Sequence, residues 1–306
     1  MKVTLIHNPS AGNGHRSRSD ELIALVRSAG HLVKEQSAKE KDWQAVLQEP
    51  ADLVAVAGGD GTVAKVARLL VEQSTPLAVL PQGTANNIAH TLGVTDIPLR
   101  ELIAGWKSAR PCRFDVGVAG SPMQQDDFLE ALGMGFFAWT TSQLDNSGNA
   151  KGSAAKDPQE ELRLVRRHLR ERLEQFTARQ LDIQLDGQDL SGEYLLVATM
   201  NIQSIGPNLV LAPQADPSDG LFDLVLIGKE EKDKLAEHLR DEPEGSRYPG
   251  LTIQRGKHLH VEAKETELHL DDRSWPDAEK IPKGRQFSVD VRVKRHALTL
   301  LVPASG

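Results

Sequence analysis

The sequence predicts two domains: an N-terminal three-layer α/β domain built on a parallel sheet, then a C-terminal antiparallel β-sandwich. Three observations carry this. Short apolar runs alternate with helical patterns up to about Arg113. From Phe114 onward strand-like runs dominate, punctuated by turn signals at Asp186-Gly187, Asp219-Gly220 and Pro249-Gly250. The length, 306 residues, is that of two domains of ordinary size.

Val3–His7 is a buried strand by its apolar run, and Arg16–Ala29 a helix, because Leu22, Ile23, Leu25 and Val26 share one face. His31–Gln36 is a second strand, Trp43–Leu47 lies in a short helix, and Leu53–Ala57 is a third strand. Thr62–Gln73 is a helix with Val63, Val66, Leu69 and Leu70 on one face, and Leu77–Leu80 is a fourth strand. Such alternation predicts a parallel sheet covered on both faces, with ligands bound beyond the carboxyl ends of its strands.

The second domain's strands are Phe114–Val118, Asp127–Leu132, Leu181–Leu185, Glu193–Met200, Leu221–Ile227, Leu251–Gln254, His258–Val261, Glu267–Leu270 and Gln286–Val293. A polar, Gly-rich stretch over 142–157 reads as a loop, and Pro158–Phe176 as a long charged helix. In that helix Arg163, Arg166, Arg167 and Arg170 alternate with Glu160, Glu161, Glu171 and Glu174, the pattern of a solvated, salt-bridged surface. The domain boundary is placed at residue 124, giving 1–124 and 125–295.

Composition narrows the function. Formal net charge is −7, which excludes a protein that coats nucleic acid through its overall charge. Aromatics at 4% exclude a stacking platform for single strands. Residues 1–124 carry 13 Lys+Arg and 12 Asp+Glu, so the acidic excess lies in the remainder, and a polyanionic ligand meets less repulsion in the first domain. The single cysteine, Cys112, allows no internal disulfide. No apolar run is long enough to span a bilayer, and the start lacks a secretory pattern. The chain is expected in the cytoplasm, with any membrane contact peripheral.

Three loops follow strands of the first domain: Asn8-Pro9-Ser10-Ala11-Gly12-Asn13-Gly14, Gly58-Gly59-Asp60-Gly61-Thr62 and Pro81-Gln82-Gly83-Thr84-Ala85-Asn86-Asn87. Glycines let backbone N–H groups approach an anion, and Thr62 and Thr84 can cap the helices that follow. Three such loops on one sheet edge form a polyphosphate cradle. A side chain at Gly59 is expected to fill the space the anion needs. There is no G-x-x-x-x-G-K-[ST] and no G-x-G-x-x-G after the first strand, so neither a P-loop nor a Rossmann fingerprint is present.

Asn8–Gly12, Ala57–Val63 and Pro81–Asn87, in this order, resemble the diacylglycerol kinase catalytic-domain family. Ala212–Ala215, Asp219–Asp223 and the late pair Asp271-Asp272 are similar to it too. The resemblance covers essentially the whole chain. It implies an α/β domain and a β-sandwich with the active site in the interdomain cleft, and a last strand, His296–Val302, returning to the first domain. It further implies ATP on the three loops, with Ser37 in contact with the nucleotide. A lipid would be the acceptor, Asp60, Asp271 and Asp272 would do base or metal work, and a structural Mg²⁺ would sit in the loop of Asp216, Asp219 and Leu221. An oxygen-rich turn with the Asp219 carboxylate and the carbonyls of Asp216 and Leu221 suits a hard cation; an exposed Asp-Gly turn is the alternative.

The sequence also departs from that family. The Asn and Glu that usually follow the second loop are Ala64 and Lys65, the Asp ending the third loop is Asn87, and the Glu of the late Asp-Gly-Glu motif is Arg273, which cannot accept a proton. Arg273 could instead grip a phosphate or an acidic headgroup. Two other readings therefore stay open: a nucleotide- and lipid-binding protein without phosphotransfer, and an NAD kinase, which rests on Gly58–Thr62 alone. His258 and His260, two apart on one strand face, are expected as solvated residues rather than metal ligands. Phe136-Phe137-Ala138-Trp139 either lines the path of a lipid or is core. No motif reads the acceptor headgroup or the oligomeric state.

Overall fold

The computed structural model describes residues 1–11, 17–147, 157–240, 250–264, 266–277 and 287–304. Its contacts divide the chain into Met1–Phe114 with His296–Gly306, and Asp115–Arg295. Residues 115–124 thus go with the second unit.

In the first unit β1 (Lys2–His7) is followed by α1 (Ser17–Ser28), β2 (Leu32–Ser37), a 3₁₀ turn at Trp43–Gln48, β3 (Leu53–Gly58), α2 (Asp60–Leu69), β4 (Leu77–Pro81), α3 (Asn87–Thr91) and α4 (Leu99–Gly105). The strands are parallel, and Leu300 near the chain's end pairs parallel with Leu77, extending the order to last strand, β4, β3, β1, β2. Every residue of β3 is buried, as a central strand covered on both faces requires. Burying Leu53, Val54 and Val56 there contributes on the order of 2 kcal/mol each. Helix α2 begins at Asp60, two residues before the predicted start, because Gly59 holds the N-cap position. Thr62 is therefore in its first turn, and the N-cap of α3 is Asn86 rather than Thr84.

The chain leaves the first unit within β5 (Arg110–Gly120) and continues through β6 (Gln125–Phe128) and β7 (Ala131–Gly135). The predicted strand Asp127–Leu132 is thus two strands. Next come α5 (Phe136–Ser147), α6 (Pro158–Leu173), β8 (Arg179–Leu185), β9 (Gln188–Asp189), β10 (Gly192–Met200), β11 (Ser204–Ile205), β12 (Leu209–Val210), β13 (Phe222–Gly228), α7 (Lys232–His238), β14 (Thr252–Gly256), β15 (His258–Ala263), β16 (Leu268–Leu270), β17 (Arg273–Trp275) and β18 (Phe287–Val302). Of the predicted loop over 142–157, residues 142–147 are helical and 148–156 lie outside the described residues.

Antiparallel pairing of β7, β10, β13 and β14, and of β8, β15 and β18, builds the sandwich. Strand β13 alternates cleanly. Phe222, Leu224 and Leu226 face one apolar cluster, with Leu259, Val261, Val289 and Val291; Val225 and Ile227 face another, with α5, α6 and α7. The helices thus form a layer the strand pattern did not announce. Phe136 and Phe137 are buried in that second cluster, and Trp139 packs on it with its ring 5.4 Å from Phe176, so this segment is core. Asp157 caps α6 by accepting from the Glu160 amide at 2.8 Å, with Pro158 at the first helical position. Arg166 of α6 is tied down, donating to the carbonyls of Pro207 and Asn208 at 2.9 and 2.7 Å. No helix among the described residues is long and apolar enough to cross a membrane.

His258 and His260 are paired rather than merely solvated. His258 Nε2 lies 2.8 Å and His260 Nδ1 3.2 Å from Asp290 Oδ1 on β18, and His260 Nε2 lies 3.2 Å from Glu262. The hydrogen bond to Asp290 raises the His260 pKa. Asp290 is shifted up by burial but further down by the two imidazoles, so its net shift is downward. The raised imidazole stabilises the fold below its unfolded pKa and loses that effect as pH rises through the folded one. The depressed carboxylate stabilises above its unfolded pKa and loses its effect as pH falls through the folded one. The thermal stability of the unaltered chain relative to Asp290→Asn should therefore peak at about pH 5, between the two ranges, and fade on either side. Melting curves across pH check this; a constant difference from acid to alkaline pH would contradict it.

Candidate functional site

The three loops meet at the carboxyl ends of β1, β3 and β4, and hydrogen bonds knit them together. The Asn8 amide donates to Ala57 O at 2.9 Å, and its side-chain Nδ2 to Thr62 Oγ1 at 3.1 Å, tying the first loop to the first turn of α2. Asn8 Oδ1 in turn accepts from the Ser10 amide at 3.0 Å, holding Pro9–Ala11 in a turn. Gln82 N donates to Gly58 O at 3.0 Å. Within the third loop, Asn86 Oδ1 accepts from Gly83 N and Asn86 Nδ2 donates to Gly83 O, both at 2.8 Å.

The second and third loops also touch without side chains. A Cβ built on Gly83 would lie 2.4 Å from Gly59 Cα, and one on Gly59 would lie 3.0 Å from Gly83 Cα. The glycines are needed for this approach, so a side chain at Gly59 would meet Gly83 as well as any anion bound there. At Gly58 a Cβ would meet Thr62 Cβ at 2.8 Å.

Asp60 joins the same two loops. Its Oδ1 accepts from Ile88 N at 3.0 Å, in the first turn of α3. Burial raises its pKa, opposed by backbone N–H groups of Ile88, Asn87, Asp60 and Asn86. A carboxylate so engaged positions the third loop. Of the positions where the family has Asn and Glu, Ala64 is buried in the face of α2 and Lys65 is exposed. Asn87 is buried.

Beside the loops lies a cavity of about 300 Å³, at the lower end of small-molecule sites, lined by Asn8, Pro9, Ala11, Glu35, Ser37 and Gln82, among others. Sequence reasoning reached Asn8, Pro9, Ala11 and Ser37. It missed Glu35, which meets His7 Nε2, and Lys39, whose ammonium donates to Ser10 Oγ. Glu35 and His7 are 28 positions apart and meet only because β1 and β2 pair in parallel with Leu5 opposite Glu35. Gly12, Asn13 and Gly14 lie outside the described residues.

The remaining expected residues belong to the second unit. Asp271, at φ +51°, accepts from the amides of Leu129, Glu130 and Ala131 at 3.1, 2.8 and 3.4 Å, so its carboxylate caps the turn between β6 and β7. His269 Nδ1 donates to Asp271 O at 3.0 Å, and burial lowers its pKa, which keeps it neutral. Asp272 is exposed. Arg273 is paired with Asp126 at 3.1 Å, and Trp275 Nε1 donates to the same carboxylate at 2.8 Å. The loop of Asp216, Asp219 and Leu221 is linked to Asp271 through residues the sequence did not single out. Gly220 N donates to the buried Asp115 Oδ2 at 2.7 Å, and Asn201 Nδ2 donates to the carbonyls of Asp115 and Leu129 at 3.0 and 2.8 Å. Among the described residues no group of three or more His, Cys, Asp and Glu is arranged to hold a metal ion.

Residues 2–119 match the family model described as diacylglycerol kinase catalytic domain, and residues 141–301 the one described as YegS C-terminal NAD kinase beta sandwich-like domain. A Mycobacterium tuberculosis protein named diacylglycerol kinase is 25% identical over 289 residues, with 88% of each chain covered. A Pseudomonas aeruginosa protein named "Probable lipid kinase YegS-like" is 30% identical over 239 residues, covering 74% of this chain and 72% of that one. The crystal structure of a diacylglycerol kinase from Bacillus anthracis has a TM-score of 0.69 at 20% identity, covering 98% of this chain and 96% of that one, a likeness of fold.

Replacing Gly83 by Ala should separate the second and third loops, because the new methyl meets backbone and cannot be relieved by rotating a side chain. The expected cost is about 1–3 kcal/mol of stability, with a larger loss at Gly83 than at Gly59. Chemical denaturation of Gly59→Ala and Gly83→Ala checks this, and equal stability of both variants and the parent would refute the close contact. Raised above its unfolded value, the Asp60 pKa makes the folded chain bind that proton more tightly. The parent should therefore gain stability relative to Asp60→Asn as pH falls through the window between the two values, and lose it as pH rises. A gain with rising pH would reverse the sign assigned to burial.

Proposed function

We propose that this chain, which belongs to the diacylglycerol kinase family, is an ATP-dependent lipid kinase that transfers the γ-phosphoryl group of ATP to a lipid hydroxyl. The observation that carries the reading is the interlock of the three loops: two glycines in backbone contact, with Asp60 tying the second loop to α3, beside the cavity of Asn8 and Ser37. A glycine-lined sheet edge at the N-terminus of α2 suits the phosphates of a nucleotide.

In this reading Asn8, Pro9, Ser10, Ala11, Gly12 and Ser37 hold one part of ATP, and Gly58, Gly59, Gly61, Thr62, Gly83 and Thr84 the phosphates. Bound with Mg²⁺, ATP supplies the phosphoryl group. Asp60 is a positioning residue: it keeps the second and third loops in register. Asp271 supports the turn that presents Asp272, and Asp272 is the carboxylate we assign to take the proton of the acceptor hydroxyl. The acceptor is reached by peripheral contact with a membrane surface. Phosphoryl transfer depends mainly on positioning and charge neutralisation, so Arg273 in place of a Glu is compatible with turnover.

Labelled ATP incubated with the purified protein and a lipid extract should yield a labelled lipid. Asp60→Ala should weaken ATP binding in calorimetry. Asp272→Asn should leave ATP affinity in place and lower turnover by about 10²-fold, the lower end of what a positioned base contributes. Tight ATP binding without transfer to any lipid would instead favour a nucleotide- and lipid-binding protein, and phosphorylation of NAD would favour an NAD kinase.

A further inference from the structure

The loop Asp216–Leu221, where the family resemblance implies a structural divalent cation, has both oxygens of Asp219 and Oδ1 of Asp216 already engaged. Asp216 Oδ1 accepts from the amide and the hydroxyl of Ser218 at 2.9 and 2.6 Å. Asp219 Oδ1 accepts from Leu221 N at 2.9 Å, and Asp219 Oδ2 is paired with Arg255 Nη2. Arg255 lies on β14 directly opposite Asp223 of β13, and its Nε is 3.6 Å from Asp223 Oδ1. Asp223 is buried, so its charge needs a counterion close by. A second guanidinium lies against the loop: a Cβ on Gly220, at φ +78°, would meet Arg295 Nε at 2.5 Å. These residues do not fit a divalent metal as they stand.

We propose that Arg255 is the built-in cation of this loop, bridging Asp219 and Asp223, and that the second unit holds its structure without a divalent metal. The reasoning is electrostatic and geometric. The strand register fixes Arg255 opposite Asp223, so the guanidinium reaches both carboxylates from a backbone that is already ordered. Its planar fork suits a carboxylate pair better than a point charge does. Mg²⁺ at Asp219 would have to replace the guanidinium or sit against it as a like charge, and would shed strongly held water to do so. Divalent metal then enters only with the nucleotide, and the inference does not depend on which acceptor is phosphorylated.

Melting of the full chain without nucleotide tests this. The unaltered protein should give the same Tm in EDTA and in excess Mg²⁺, and elemental analysis after gel filtration should find no stoichiometric divalent metal. Arg255→Gln should melt a few degrees lower and regain part of that loss on adding Mg²⁺, because the carboxylates have lost their cation. Arg255→Lys, which keeps the charge, should stay closer to the parent. A parent Tm that falls in EDTA and returns with Mg²⁺ would overturn the proposal. So would one retained equivalent of metal, or an Arg255→Gln variant as stable as the parent. If Arg255→Gln does not fold, the EDTA comparison and metal content of the unaltered protein still decide.

Discussion

The backbones of Gly59 and Gly83 face one another with no room for a methyl group between them, and the geometry of the first unit's loops follows from that contact. Parallel strands place β3 and β4 side by side, so the loops leaving their carboxyl ends are neighbours whatever their sequence. Neighbouring loops would ordinarily be spaced by side chains. Two glycines remove the spacer, and Gln82 N reaches Gly58 O. Asp60 then reaches across to the first turn of α3, and Asn86 closes the third loop on Gly83. Backbone contact and carboxylate cap act at the same place, and a change in one is felt by the other.

The second unit is organised by buried and half-buried polar side chains. Asp115 receives the Gly220 amide, Asn201 holds the carbonyls of Asp115 and Leu129, and Asp271 receives the amides of residues 129–131. Each bond satisfies a backbone group that burial would otherwise leave costly. The chain of contacts runs from the loop of Asp219 to the turn that carries Asp272. Local shape at both ends therefore depends on Asn201, a residue that on sequence is only one polar position after an apolar strand.

Local pattern made much of this legible. β3 and β4 are short apolar runs and β1 is mostly so, with the glycine loops following them, so these strands and the loops Asn8–Ala11, Gly58–Thr62 and Gly83–Thr84 could be read directly, while α4 was not. Helix starts were less visible, since Gly59 and Asn86 hold the cap positions without a side-chain cap hydrogen bond. Helix α7 and the short strands β9, β11 and β12 carry too little periodicity to announce themselves. His7 with Glu35, Asp115 with Gly220, and Arg255 with Asp219 are long-range pairings created by strand register, and no local spacing encodes them.

The same pairings change what the acidic residues mean. Read as a list, Asp60, Asp216, Asp219, Asp271 and Asp272 are five candidates for proton transfer or metal binding. In the fold, Asp60 and Asp271 accept backbone amides, Asp216 closes its own turn with Ser218, and Asp219 faces a guanidinium. The N–H donors hold the Asp60 and Asp271 carboxylates each in one orientation, and at Asp60 burial outweighs those donors and raises the pKa. Asp272 is exposed, and its neighbour Asp271, fixed by three amides, gives the turn a defined shape. Arg273, engaged by Asp126, cannot take the proton a Glu would take at that position. The proposed transfer therefore assigns the proton to exposed Asp272 rather than to Asp271, whose carboxylate holds backbone in place.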